Sequence, residues 1–99
     1  MPTAYITTPP EVAETIARTL VEEQLAACVN RLPVESVYRW DGEIHAEEEI
    51  VLLAKTTDER YDELAARVLE LHPHEVPCIE RFDETDLLAA FGEWRAEVT

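Results

Sequence analysis

Polar and apolar residues alternate along this chain in two rhythms, one of period two and one of period near four. Thr3 to Thr7 alternates around Tyr5 and Ile6, which predicts a short half-buried strand. Thr8-Pro9-Pro10-Glu11 reads as a helix start, with Thr8 as the cap, Pro9 at the first helical position and Glu11 completing a capping box. Val12, Ile16 and Leu20, flanked by Ala13, Ala17 and Val21, make one apolar stripe on a helix running to about Gln24. From Cys28 to Trp40 the chain reads as a long extended stretch, with Cys28, Val29, Leu32, Val34, Val37, Tyr38 and Trp40 as strand-type residues. Asp41-Gly42 is a two-residue hairpin turn, and a return strand runs from Glu43 to near Thr56 with Ile50 to Ala54 as its buried run. Thr56-Thr57-Asp58-Glu59 predicts a second capping box, Tyr61, Leu64, Ala65, Val68 and Leu71 a helical face, and Pro73 its end. Val76 to Phe82 reads as a fourth strand. A third helix is expected from about Asp86, spaced by Leu87, Leu88, Phe91 and Trp94.

This order, βαββαβ with a C-terminal helix, is the split-βαβ, ferredoxin-like α+β pattern: an antiparallel sheet with helices on one face. The 99 residues suit a single domain, 1–99. The hairpin is disproportionate. Pairing residues whose numbers sum to 83 sets Trp40 against Glu43, Tyr38 against His45 and Cys28 against Lys55. A strand that long spans ~46 Å, against ~21 Å for the first helix. Its tip should project, and an exposed ribbon with free edges calls for a partner, most simply another copy of the chain. Pro33 lacks a donor, so a bulge or break is expected there.

Charge narrows the picture. With 22 acidic residues against eight basic ones, the net charge is -14, which argues against nucleic-acid binding. An acidic chain with Lys55 as its only lysine fits a salt-rich cytoplasm, so a halophilic source is an expectation. No apolar run approaches the ~20 residues of a membrane span, and Met1 to Tyr5 does not resemble a signal peptide. Cys28 and Cys78 read as reduced thiols, which suggests a cytoplasmic location.

Four groups of residues carry candidate chemistry. His72, His74 and Cys78 form His-x-His-x-x-x-Cys across the second helix and fourth strand, with imidazole and thiol donors suited to copper or zinc. The spacing matches no standard zinc motif. The plainer reading has His72 capping the helix end and Cys78 in the core. Cys28 is by default a packed thiol, made more reactive if Lys55 is its neighbour. Lys55, an ammonium near the end of a buried strand, needs an anion or a carbonyl, most plainly a nearby glutamate. Glu47-Glu48-Glu49 is a charge run in which alternation sends Glu47 and Glu49 to one face and Glu48 to the other, and Glu47 and Glu48 suit a solvated face. Lys55 and Glu49 as an acid/base pair would make an enzyme, but they would need one water-poor cleft. With only Gly42 and Gly92 present, a glycine-rich phosphate cradle is excluded.

Four segments together resemble the CutA family of divalent-cation-tolerance proteins: Leu25-Ala26-Ala27-Cys28-Val29-Asn30, Ser36-Val37-Tyr38-Arg39-Trp40-Asp41-Gly42, Glu49 through Thr56, and Leu71-His72-Pro73-His74-Glu75-Val76-Pro77. The resemblance implies a non-enzymatic homotrimer of ferredoxin-like subunits with interlocking hairpins, similar to PII signalling proteins. It also implies a relation to divalent metals, copper in particular. On that reading His72, Cys28, Cys78 and His74 are the candidate metal ligands. Lys55 and Glu49 are expected in the intersubunit cleft, and Tyr38 and Trp40 at the trimer contact. The alternative implied is a PII-like adaptor binding a small anion or a partner protein. Two positions depart from the family pattern His-Pro-Tyr-Glu-Val-Pro-Glu: His74 stands for the tyrosine and Cys78 for the last glutamate.

Overall fold

Seven elements follow one another in the computed structural model, which describes Met1–Thr99. They are β1 (Pro2–Thr8), α1 (Pro10–Glu22), β2 (Cys28–Trp40), β3 (Glu43–Lys55), α2 (Tyr61–Leu71), β4 (Ile79–Asp83) and α3 (Ala89–Glu97). The strands make one antiparallel sheet in the order β2-β3-β1-β4. Alternation sorts each strand into two faces. Ala4 and Ile6 of β1 with Leu52 and Ala54 of β3 point to one side. There they pack with Ala13, Ile16, Ala17 and Leu20 of α1 and with Leu64 and Val68 of α2, all buried. The other side, the open face, has no helix packed into that core. α3 docks at the end of the sheet through Arg95.

The β2–β3 hairpin is continuous from Cys28↔Lys55 to Trp40↔Glu43, and every pair sums to 83. Asp41 (φ 53°) and Gly42 (φ 78°) supply the two left-handed residues of the turn. The expected bulge at Pro33 is absent: Pro33 pairs with Ile50 in register. β2 is the edge strand, so half of its N–H positions face away from β3, and a proline is tolerated there. Beyond Pro33 and Ile50 the ribbon outruns α1 and α2, and the molecule is 45 Å long but only 25 × 20 Å across. Val37 and Ile44, on the helix side of the tip, are 74% and 66% exposed.

Several boundaries differ from the sequence reading, each for a local reason. Thr8 is the last residue of β1, paired with Ile50. It does not cap α1, and Pro9 takes that place with Pro10 as the first helical residue. α1 stops at Glu22 because Gln24 adopts a left-handed φ of 59° and turns the chain, with the Leu25 and Ala26 amides bonding back to the Leu20 carbonyl. Thr56 is buried and donates its hydroxyl to the Leu25 carbonyl at 2.6 Å, tying the α1–β2 connection to the end of β3 instead of capping α2. The cap position of α2 falls on Arg60, after a turn closed by Thr57. Pro77 delays β4 to Ile79. α3 begins at Ala89, and its buried side chain is Arg95, not an apolar residue.

Candidate functional site

The chain's best-formed concavity lies on the open face, where the outer half of the hairpin meets the segment that links α2 to β4. It encloses about 750 Å³. Its floor is a row of alternate strand residues: Tyr38 and Trp40 from β2, and His45, Glu47 and Glu49 from β3. Tyr5 and Thr7 continue the floor on β1. His74, Glu75, Val76, Cys78 and Glu80 form the wall. Four carboxylates, two imidazoles and a thiol therefore share one cleft whose lining contains no lysine or arginine.

The cleft has two chemically different ends. Toward the hairpin tip, Tyr38 and His45 stack across the strands with ring centroids 5.4 Å apart and planes 17° apart, beside Trp40. Partial desolvation, and after it the neighbouring Glu47 carboxylate, hold the Tyr38 phenol above its ordinary value. Toward the body lie Glu49, His74, Cys78 and Glu80. The Cys78 thiol donates to Glu80 Oε1 at 3.5 Å. Burial pushes its pKa up, Glu80 and Glu49 add to that, and a hydrogen bond with Thr7 opposes it, so the resting thiol is protonated at neutral pH.

The wall is held in place by His72. This side chain is buried, and both of its ring nitrogens are engaged. Nδ1 accepts from the His74 amide at 3.1 Å, which leaves the proton on Nε2 to donate to the Thr7 carbonyl at 2.8 Å. One imidazole thus ties the end of α2 to β1 and to the first residues of the wall. In this arrangement His72 has no free lone pair for a metal. Nor does its ring cap the last turn of α2, which is closed by its own backbone amide to Val68. His72→Ala is expected to speed amide exchange at His74 and to cost about 1–3 kcal/mol, the penalty for unsatisfied buried groups. Hydrogen exchange and denaturant unfolding measure the two.

The candidate residues divide between two regions. Glu49, His74, Cys78, Tyr38 and Trp40 meet at the cleft, with His72 behind its wall. Cys28 and Lys55 face each other at the hairpin base, where Lys55 Nζ donates to Asn30 Oδ1 at 3.2 Å. The row through Cys28 and Lys55 continues to Thr3 and Phe82, so Cys78 lies three strands across and four residues along from Cys28. Lys55 and Glu49 are six residues apart on β3, about 20 Å at the strand rise, so they do not form an acid/base pair within one chain. No three His, Cys, Asp or Glu side chains stand close enough to hold a metal ion in the single chain. Sequence reasoning missed Glu80, Glu47 and His45 as cleft residues. Alternation from Cys78 would have found Glu80, and the 83 rule already set His45 against Tyr38.

Comparison with known proteins agrees with this architecture along the whole chain. The sequence model described as CutA1 divalent ion tolerance protein matches residues 3–98. The chain belongs to that family. A Thermus thermophilus protein named divalent-cation tolerance protein CutA is 46% identical over 90 residues, 90% of this chain and 87% of its own. The crystal structure of CutA1 from Pyrococcus horikoshii superposes with a TM-score of 0.95 at 36% identity, covering 100% of this chain and 98% of the other. A protein described as PII-like CutA, from Nostoc, superposes with a TM-score of 0.97 at 38% identity, covering 100% and 97%. The α+β, ferredoxin-like reading and the family resemblance therefore both stand.

Proposed function

We propose that this chain is a non-enzymatic homotrimer that takes up a divalent cation, copper before others, at the body end of the open-face cleft. The observation that carries this reading is the lining itself. Glu49 and Glu80 supply charge, His74 and Cys78 supply the nitrogen and sulfur donors that copper favours, and no lysine or arginine of the lining competes. The relatives' name, divalent-cation tolerance protein, supports a relation to metals. The donors fit the ion in type but do not form a closed site within one chain. Rotation of exposed side chains, or donors from a second copy, would have to complete it. Assembly is supported by the uncovered sheet face, where Leu32 is 43% exposed, and by the projecting hairpin, where Trp40 is 50% exposed.

The PII-like alternative, a small anion or partner protein as ligand, would draw on Lys55. It is the one lysine or arginine that strand alternation places on the open face, and its partner is the neutral Asn30. It stands at the hairpin base, outside the acidic cleft.

Calorimetry with Cu²⁺ separates these readings. Cys78→Ser and His74→Ala are expected to weaken binding tenfold or more, by analogy with the ~10–100-fold that even a ligand's supporting partners contribute. Cys28→Ser is expected to leave it unchanged. Because the ion must displace the Cys78 proton, affinity should rise as pH increases toward the raised thiol value. Parent-like copper binding in both Cys78→Ser and His74→Ala removes the cleft as the site.

A further inference from the structure

The chain contains seven arginines among 22 acidic residues. Six of them pair with a carboxylate: Arg18 and Arg31 with Glu14, Arg60 with Glu63, Arg67 with Glu23, Arg81 with Asp58 and Asp83, and Arg95 with Glu84. Arg39 has no such partner. It sits at the hairpin tip, paired across the strands with Ile44 and exposed to solvent. Alternation puts its side chain on the helix side of the ribbon, next to Val37 and Ile44, the two most exposed aliphatic residues of the hairpin. A cation flanked by bare apolar side chains thus lies beyond the reach of α1 and α2.

The tip end of the cleft is its chemical counterpart. Tyr38 and Trp40 offer aromatic faces and Glu47 a carboxylate, and no cation of the same chain stands among them. A guanidinium stacks on aromatic rings and pairs with carboxylates, and Val37 and Ile44 would bury against the same rings. The two surfaces cannot meet within one molecule. Arg39 projects from one face of the ribbon while Tyr38 and Trp40 project from the other.

We infer that the tip end of each cleft receives Arg39 from the hairpin of the next copy, seated between the Tyr38 and Trp40 rings and paired with Glu47. The contact joins two different patches, so it is heterologous. Three such contacts close a ring in which every cleft is completed by its neighbour. This rests on the trimer proposed above. It adds which residue crosses the interface and where it lands, and it leaves the body end of the cleft free for the metal ion.

A charge swap tests it. Full-length parent, R39E, E47R and the R39E/E47R double variant are compared by native mass spectrometry and sedimentation velocity across a concentration series at about physiological salt. Arg39 and Glu47 are both exposed, so each variant should keep the parent's circular dichroism. A trimeric parent, a tenfold or greater loss of assembly in each single variant, and recovery in the double variant support the inference. A trimeric parent with R39E assembling as well as the parent overturns it while leaving the trimer intact. Loss of assembly in both single variants without recovery in the double variant also overturns the Arg39–Glu47 pairing. A parent that is monomeric throughout overturns the trimer and this inference together.

Discussion

Arg95→Ala should destabilise the fold by about 3–5 kcal/mol, the usual consequence of removing one partner from a buried ion pair. Arg95 is 1% exposed. Its Nε donates to the Thr56 carbonyl at 2.7 Å, and its terminal nitrogen donates to the Pro2 carbonyl and to Glu84 Oε1, the latter at 2.7 Å. Glu84 also accepts from the Thr3 hydroxyl at 2.6 Å. One guanidinium therefore joins the start of β1, the end of β3, the residue after β4 and α3. Alanine takes the donor from the Thr56 carbonyl, leaves the Pro2 carbonyl to the Thr56 amide, and removes the cation from a half-buried carboxylate that keeps the Thr3 hydroxyl. At ~4–8 °C per kcal/mol for a chain of this size, the melting temperature should fall by at least ~12 °C. The comparison belongs at one fixed protein concentration, because any assembly adds to apparent stability.

The same cluster sets the direction of an acid response. Burial works to raise the Glu84 pKa, but hydrogen bonds from Thr3 and Arg95 outweigh it and hold the carboxyl below its ordinary value. A depressed carboxylate contributes its full stability above the unfolded value, ~4.3, and loses it as pH falls through the lower folded value. The Arg95→Ala protein should lose part of this acid limb. An unchanged limb would mean that Thr3 and the Glu84 backbone amide hold the carboxyl without Arg95.

Leu52→Ala is the second large expected effect, about 2–5 kcal/mol from lost burial and the cavity left behind. Leu52 is fully buried at the middle of the sheet, opposite Ile6, in the cluster that includes Ile16 and Leu64. Val37→Ala on the same hairpin should change single-chain stability by less than ~0.5 kcal/mol, since Val37 is 74% exposed. Urea unfolding of the two variants locates the core: equal losses would mean that the distal ribbon is as well packed as its base.

The hairpin register was legible because one strong local signal, Asp41-Gly42, numbers every pair that follows, and no bulge interrupts it. Pro33 misled because a proline's effect depends on which edge its nitrogen faces, and strand order is a tertiary fact. Both capping boxes failed for a related reason. Thr8 and Thr56 carry the right hydroxyls, but sheet pairing holds the first in β1 and the Leu25 carbonyl draws the second. Arg95 was invisible because an arginine in an exposed-looking helix is ordinarily solvated, and only the sheet's end supplies its acceptors. The cleft was half legible. His74, Cys78, Glu49, Tyr38 and Trp40 were candidates singly, but their convergence needs the segment after α2 to fold over the distal ribbon, as His72 makes it do. Cys28 and Lys55 were correctly set opposite each other, yet at the other end of the strand.

The order β2-β3-β1-β4 also governs how the chain meets its own synthesis. β1 is made first, but both of its sheet neighbours come later: β3 ends at Lys55 and β4 at Asp83. On the ribosome, the nascent chain can close the β2–β3 ribbon from a two-residue turn as soon as it emerges, whereas β1 must wait, unpaired, for partners from distant parts of the chain. The local ribbon is thus positioned to form ahead of the body it is attached to.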